Sequence, residues 1–144
     1  MGCFMTEITL ANAGELWAVQ RGRMSQSEVH SVTLEAMPDT GAWTLIINEE
    51  IQQELGLNIV DRVDTTLADG SIEECGLTES VKVCWKDRWA DCNAIVIPGA
   101  TDILLGALPL EGMDLMVDPV NKRLVGVHGD RRLYLAKAVN LRKH

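Results

Sequence analysis

The chain reads as an all-β barrel or sandwich with one or two short helices, and three observations point there. Short segments rich in valine, isoleucine and threonine recur at fairly regular spacing along the 144 residues, separated by turn residues. Sustained helical periodicity is scarce. Two apolar-alternating runs flank Asp69-Gly70, a hairpin signal because both residues tolerate positive φ.

In order along the chain, Ile8 and Leu10 alternate with polar neighbours before Asn12-Ala13-Gly14, and residues 16–19 begin a second apolar stretch, so the opening reads as a hairpin. Residues 21–28 are polar and form a loop. A strand over 29–36 follows, with Val32, Leu34 and Ala36 on one face. It closes at Pro38, which has no N–H for a ladder, and delivers Asp39 at its end. Residues 43–47 read as the next strand. Asn48 caps a short helix with Glu49 and Glu50 in its first turn, Ile51 and Leu55 on one face, and Gly56 past its end. The arms 63–68 and 72–77 form the hairpin around Asp69-Gly70. A second hairpin pairs 81–85 with a strand running to Ile97 through Lys86-Asp87. Ile103, Leu104 and Leu105 form a buried run ending at Gly106, then come a helical turn near 109–113 and final strands over 115–117 and 124–127.

Composition sets the outer limits. With 47% hydrophobic and 24% charged residues the chain has the balance of a globular protein, and its length suits one domain needing no disulfide or structural metal. No apolar run reaches the roughly 20 residues that span a bilayer, and residues 1–11 lack the basic start and apolar core of an export signal. The expectation is a cytoplasmic protein whose Cys3, Cys75, Cys84 and Cys92 are reduced thiols. None of them forms a C-x-x-C pair, so zinc is not expected. The net charge of −8 disfavours nucleic acids and membrane surfaces as partners. From Asp130 onward five basic residues (Arg131, Arg132, Lys137, Arg142, Lys143) face one acid, a net of +4 that leaves −12 on the first 129 residues. Residues 1–128 therefore read as the single domain. Residues 129–144 read as a basic tail, either solvated or docked on the acidic body or an acidic partner.

The chemistry is carried by Asp39-Thr40-Gly41-Ala42. Residue frequencies place an Asp-Thr-Gly tripeptide in roughly 3% of chains this long by chance, so its context decides. That context is strand, motif, strand and short helix, then the Asp69-Gly70 hairpin, then Leu104-Leu105-Gly106 and a helical turn. With Leu55-Gly56-Leu57, Leu67-Ala68-Asp69-Gly70-Ser71 and Val96-Ile97-Pro98-Gly99, this arrangement resembles the retropepsin-like aspartic protease family, the bacterial relatives of the retroviral enzymes, over about residues 7–127.

The resemblance implies a retropepsin-like acid protease barrel with its active site at a homodimer twofold, and an aspartic endopeptidase acting on peptide or protein substrates without cofactor or metal. Asp39, Thr40 and Gly41 are then the catalytic candidates, and Ala42, Asp69, Gly70 and Ser71 the substrate-binding ones, with 69–71 at the tip of a flap. The chemistry needs two carboxylates close enough that one stays protonated, and the chain supplies one such motif, so a twofold axis must supply the other. Met37-Pro38 departs from the aliphatic pair usual in the family. It motivates the alternative of a catalytically silent dimerisation or peptide-binding module.

The remaining chemical residues have plainer readings. Asp102 and Asp118 lack a following Thr-Gly or Ser-Gly and read as surface turns. His30 and His128 face no G-x-S-x-G nucleophile and read as structural or surface groups. Trp17, Trp43, Trp85 and Trp89 read as core or interface anchors. Gly70 at the sixth position of a calcium loop would put Gly76 where a bidentate glutamate belongs, which excludes that site.

Overall fold

The structure is a computed structural model, described over residues 3–142; Met1, Gly2 and the Lys143 and His144 end of the basic tail lie outside the described residues. The first strand, β1 (Thr6–Asn12), leads into a helix, α1 (Ala13–Gln20), and not into a second hairpin arm. The reason is local. Asn12 caps the helix by accepting the Glu15 N–H at 3.1 Å, and Asn-x-x-Glu is a helix-start spacing. The apolar run over 16–19 is outvoted by that cap and by the helix formers Ala13, Leu16 and Ala18.

After a short 3-10 turn come β2 (Ser31–Pro38), β3 (Leu45–Ile47), α2 (Glu49–Glu54), β4 (Ile59–Thr66), β5 (Ile72–Trp85), β6 (Arg88–Val96), β7 (Leu104–Leu105), α3 (Ala107–Gly112), β8 (Leu115–Asp118) and β9 (Arg123–Gly126). There are thus three short helices among the described residues, one more than the sequence suggested. As expected, Asn48 caps α2 through the Ile51 N–H at 2.9 Å, and Gly56 follows it at φ +61°. Asp114 ends α3 at φ +56° with its N–H on the Glu111 carbonyl at 3.0 Å, a left-handed cap in which aspartate replaces the usual glycine.

Seven strands form one sheet in the order β1-β2-β7-β3-β6-β5-β4, and an added β1–β5 pairing closes six of them into a ring with β4 outside it. Closure depends on β5. The two arms expected separately at 72–77 and 81–85 are one 14-residue strand whose first half pairs with β4 and whose second half pairs with β1 and β6. A register shift between Leu77 and Ser80 marks the change, as a bulge bends one strand between two sheets. β4 with the start of β5 therefore stands out from the ring as a hairpin.

The core is filled from the inward faces by Ile8, Leu10, Leu45, Ile47, Val83 and Leu105, all at most 1% exposed. Leu45-Ile46-Ile47 is buried throughout, because Leu45 and Ile47 face the core while Ile46 joins a second cluster with Cys75 and Ile95 beneath the hairpin. A strand covered on both sides shows no apolar alternation. The four cysteines are unpaired, and burial, opposed by hydrogen bonds from Thr44 and Leu45, pushes the Cys92 thiol up to about 11. Among the described residues no helix is long and apolar enough to cross a membrane.

The chain beyond β9 is tied to the body by specific bonds. The buried Arg88 guanidinium donates to the carbonyls of Met113 (3.0 Å), Asp114 (2.8 Å) and Gly129 (2.7 Å). The Asp114 carboxylate accepts from His128 Nδ1 at 2.8 Å and from the Leu133 N–H at 3.0 Å. These contacts hold its carboxyl below the usual range, the Leu133 bond contributing most. Arg132 donates to the Trp89 carbonyl at 2.7 Å, and the Tyr134 hydroxyl to the Gly112 carbonyl.

Candidate active site

The Asp39 loop connects β2 to β3, and β7 lies between those two strands, parallel to β2 and antiparallel to β3. β7 and the residue before it hold the entry to the loop. The Met37 N–H donates to the Ile103 carbonyl at 2.8 Å and the Asp39 N–H to the Leu105 carbonyl at 3.0 Å. In this ladder the donors to β7 are residues 37 and 39, so the missing N–H of Pro38 removes no bond to it. On its other edge the pairing of β2 with β1 already stops at Ala36 opposite Thr6. Proline is therefore accommodated as at a strand end.

The loop itself is tight. Asp39 Oδ1 accepts the Gly41 N–H at 2.8 Å, and the Ala42 N–H returns to the Asp39 carbonyl at 3.1 Å. Below it the Ala107 N–H donates to the Ala42 carbonyl at 2.8 Å and the Leu108 N–H to the Trp43 carbonyl at 3.0 Å. Gly106 is needed for this approach. A Cβ on it would stand 2.1 Å from the Thr44 carbonyl oxygen and 2.7 Å from that of Ala42. Asp39 is partly exposed, and Thr40 and Gly41 are exposed. Among the described residues the Thr40 hydroxyl has no hydrogen-bond partner within the chain.

Asp39, Gly41 and Ala42 line a cleft of about 800 Å³ between the loop and the β4 arm of the hairpin, which contributes residues 63–68. Asp39 also lines, together with Thr40, a second groove of about 690 Å³ that includes Phe4, Pro38, Leu110 and Met116. The hairpin tip carries residues 69–71, the ones the sequence marks for substrate binding. Asp69, Gly70 and Ser71 are exposed and do not line the cleft. Asp69 Oδ1 instead accepts from Ser71 Oγ at 2.6 Å and from the Ser71 N–H at 2.9 Å. Those bonds, the hydroxyl first, lower its carboxyl pKa. Gly70 sits at φ +86°, so these three residues shape the turn and the arm behind them meets the cleft.

Other residues enter the cleft unannounced. Trp43, 55% exposed, lines it, and Trp17 and Trp89 are also exposed, so three of the four tryptophans lie outside the core. Asp102 is exposed as expected of a turn but lines the same cleft. Ile46, Ile95 and Leu104 form its apolar floor. The signal for them was their alternation with core neighbours, visible only once both faces of β3 and β6 are known to be covered. Asp118 is a surface turn residue, its carboxyl held low first by the Asn121 side chain. His30 bridges to Glu15 at 3.0 Å, a structural contact. Among the described residues no His, Cys, Asp and Glu group is spaced to hold a metal.

A crystal structure of a retropepsin-like aspartic protease from Rickettsia conorii is similar to this chain at 18% identity and a TM-score of 0.46, covering 81% of this chain and 88% of that one. No curated protein matches. The family model described as Aspartyl protease matches residues 25–108, which takes in β2, the Asp39 loop, the hairpin and Leu104-Leu105-Gly106. The chain belongs to the aspartyl protease family, in agreement with the retropepsin-like resemblance of its motifs.

Proposed function

We propose that the protein is an aspartic endopeptidase acting as a homodimer, in which one water is activated between Asp39 and Asp39 of the partner subunit. The observation that carries this reading is the Asp39 loop: a carboxylate clamped between β2, β7 and β3, oriented by the Gly41 N–H, on the wall of a cleft roofed by a hairpin. One chain offers one such carboxylate. Two of them face to face cannot both ionise, so one keeps a proton. The ionised aspartate takes a proton from water as the water oxygen attacks the scissile carbonyl carbon, and the protonated one hydrogen-bonds the carbonyl oxygen as it gains charge. Collapse of the tetrahedral adduct breaks the C–N bond with a proton delivered to the departing amine. The unpartnered Thr40 hydroxyl is available to bond across the twofold, and the β4 arm to pair with an extended peptide and exclude water.

Subunit exchange tests the reading. In mixtures of wild type with Asp39→Asn, peptide cleavage should follow the square of the wild-type fraction, because only a dimer with two carboxylates works. A linear dependence would show that each subunit acts alone, and full activity in pure Asp39→Asn would remove Asp39 from the chemistry. Sedimentation at micromolar concentration should show the dimer.

A further inference from the structure

The charges lining the Asp39 cleft are all of one sign. Its ionisable residues are Asp39, Asp64 and Asp102, and no lysine, arginine or histidine joins them among the described residues. Neither Asp64 nor Asp102 is in an ion pair there, while the neighbouring Arg62 turns to Glu74 at 4.0 Å. The rest of the lining is largely apolar, with Trp43, Ile46, Val63, Ile95 and Leu104. Carboxylates beside low-dielectric walls concentrate negative potential in the space between them.

Asp102 is the better placed of the two flanking acids. It precedes Ile103, which is 7% exposed and whose carbonyl holds the Met37 N–H at 2.8 Å. Two residues further on, Leu104 pairs with both Met37 and Ile46. Asp102 is thereby carried on the same braced backbone as Asp39, whereas Asp64 rides on the projecting hairpin. A second feature points to an occupant. Thr65 Oγ1, in the roof of the cleft, is the one buried side-chain polar atom without a hydrogen-bond partner among the described residues. Such atoms are normally satisfied, so the roof of the cleft holds a polar group with bonding capacity in reserve.

We propose that this cleft selects extended peptides in which apolar residues are joined by a lysine or arginine close to the scissile bond, with Asp102 as the residue that positions the cation. The inference deepens the endopeptidase reading and rests on it for the cleavage step alone. Selection by charge is a property of binding and is measured separately.

The experiment uses fluorogenic peptides of one apolar sequence in which each position in turn is Lys, Arg, Gln or Glu. Wild type should prefer Lys and Arg over Glu in kcat/KM, and the preference should shrink in high salt. Asp102→Asn should cut the Lys-to-Glu ratio about fivefold, the size of an exposed ion pair, and Asp102→Lys should invert the preference, which a merely structural role would not do. Asp87→Asn, an exposed turn residue outside the cleft, makes the same change in net charge and should leave the ratio alone. Equal cleavage of Lys and Glu peptides, or a ratio indifferent to Asp102, overturns the proposal while leaving the protease reading intact. If no peptide is cleaved, the same set is measured by fluorescence anisotropy. An Asp102-dependent preference for Lys then supports charge selection and retires the endopeptidase, and equal or undetectable binding overturns charge selection.

Discussion

Gly106→Ala is a small change with a large expected cost. The added methyl would lie 2.1 Å from the Thr44 carbonyl oxygen, so that oxygen must retreat by about 1 Å before the contact becomes tolerable. Thr44 cannot retreat freely: it is 0% exposed and its hydroxyl donates to the Asn93 carbonyl at 2.7 Å. Overpacking of this kind costs about 1–3 kcal/mol. Weakening the Ala107 and Leu108 bonds to the loop adds about 1 kcal/mol each, for roughly 3–5 kcal/mol in all. Against a typical stability of about 5–15 kcal/mol that is a large share, and it should lower Tm by roughly 10 °C or more. The comparison is Gly70→Ala. Gly70 has the unusual backbone at φ +86° but nothing within 4 Å, so only the left-handed penalty of about 1–2 kcal/mol applies. Urea unfolding followed by tryptophan fluorescence gives both values. If Gly106→Ala costs no more than Gly70→Ala, the Asp39 loop is not seated rigidly on the start of α3 and the account of its bracing fails.

Three further outcomes are expected. Arg88→Met leaves three carbonyls without their shared donor and should cost about 3–5 kcal/mol; a loss under about 1 kcal/mol in urea unfolding would mean water replaces the guanidinium. Asp114 has a lowered pKa in the folded chain, so its contribution to stability is present above its ordinary value of 3.8 and is lost as pH falls through the depressed one. Asp114→Asn should therefore melt below wild type at pH 7, with the gap closing at strongly acid pH, and a gap that is constant with pH would show the carboxylate charge to be irrelevant. Gly70→Val should slow peptide cleavage by distorting the hairpin turn while Tm moves by only a few degrees; unchanged kcat/KM would show that this hairpin does not close over substrate.

Much of this architecture is local and was legible before any tertiary contact was known. Asn48 caps a helix through a residue three positions away, Asp69-Gly70 turns a chain within four residues, and Pro38 stops a strand just ahead of Asp39. Such signals act over one or two turns of backbone, so the residues that carry them lie side by side in the sequence. Where two local signals competed, as in the Asn12-x-x-Glu15 cap against the apolar run over 16–19, pattern alone chose wrongly because the cap and the helix formers around it outweigh the apolar run. What only the tertiary structure decided depends on register between distant segments: β7 between β2 and β3, which leaves Pro38 no bond to β7 to lose and Gly106 no room for a side chain; β5 as one strand serving three partners; Arg88 reaching three carbonyls. The cleft is the clearest case. Asp39 was marked by its motif, but Trp43, Thr65 and Asp102 face the same space only because β3, β4 and β7 converge there, and no short-range pattern records which faces will meet.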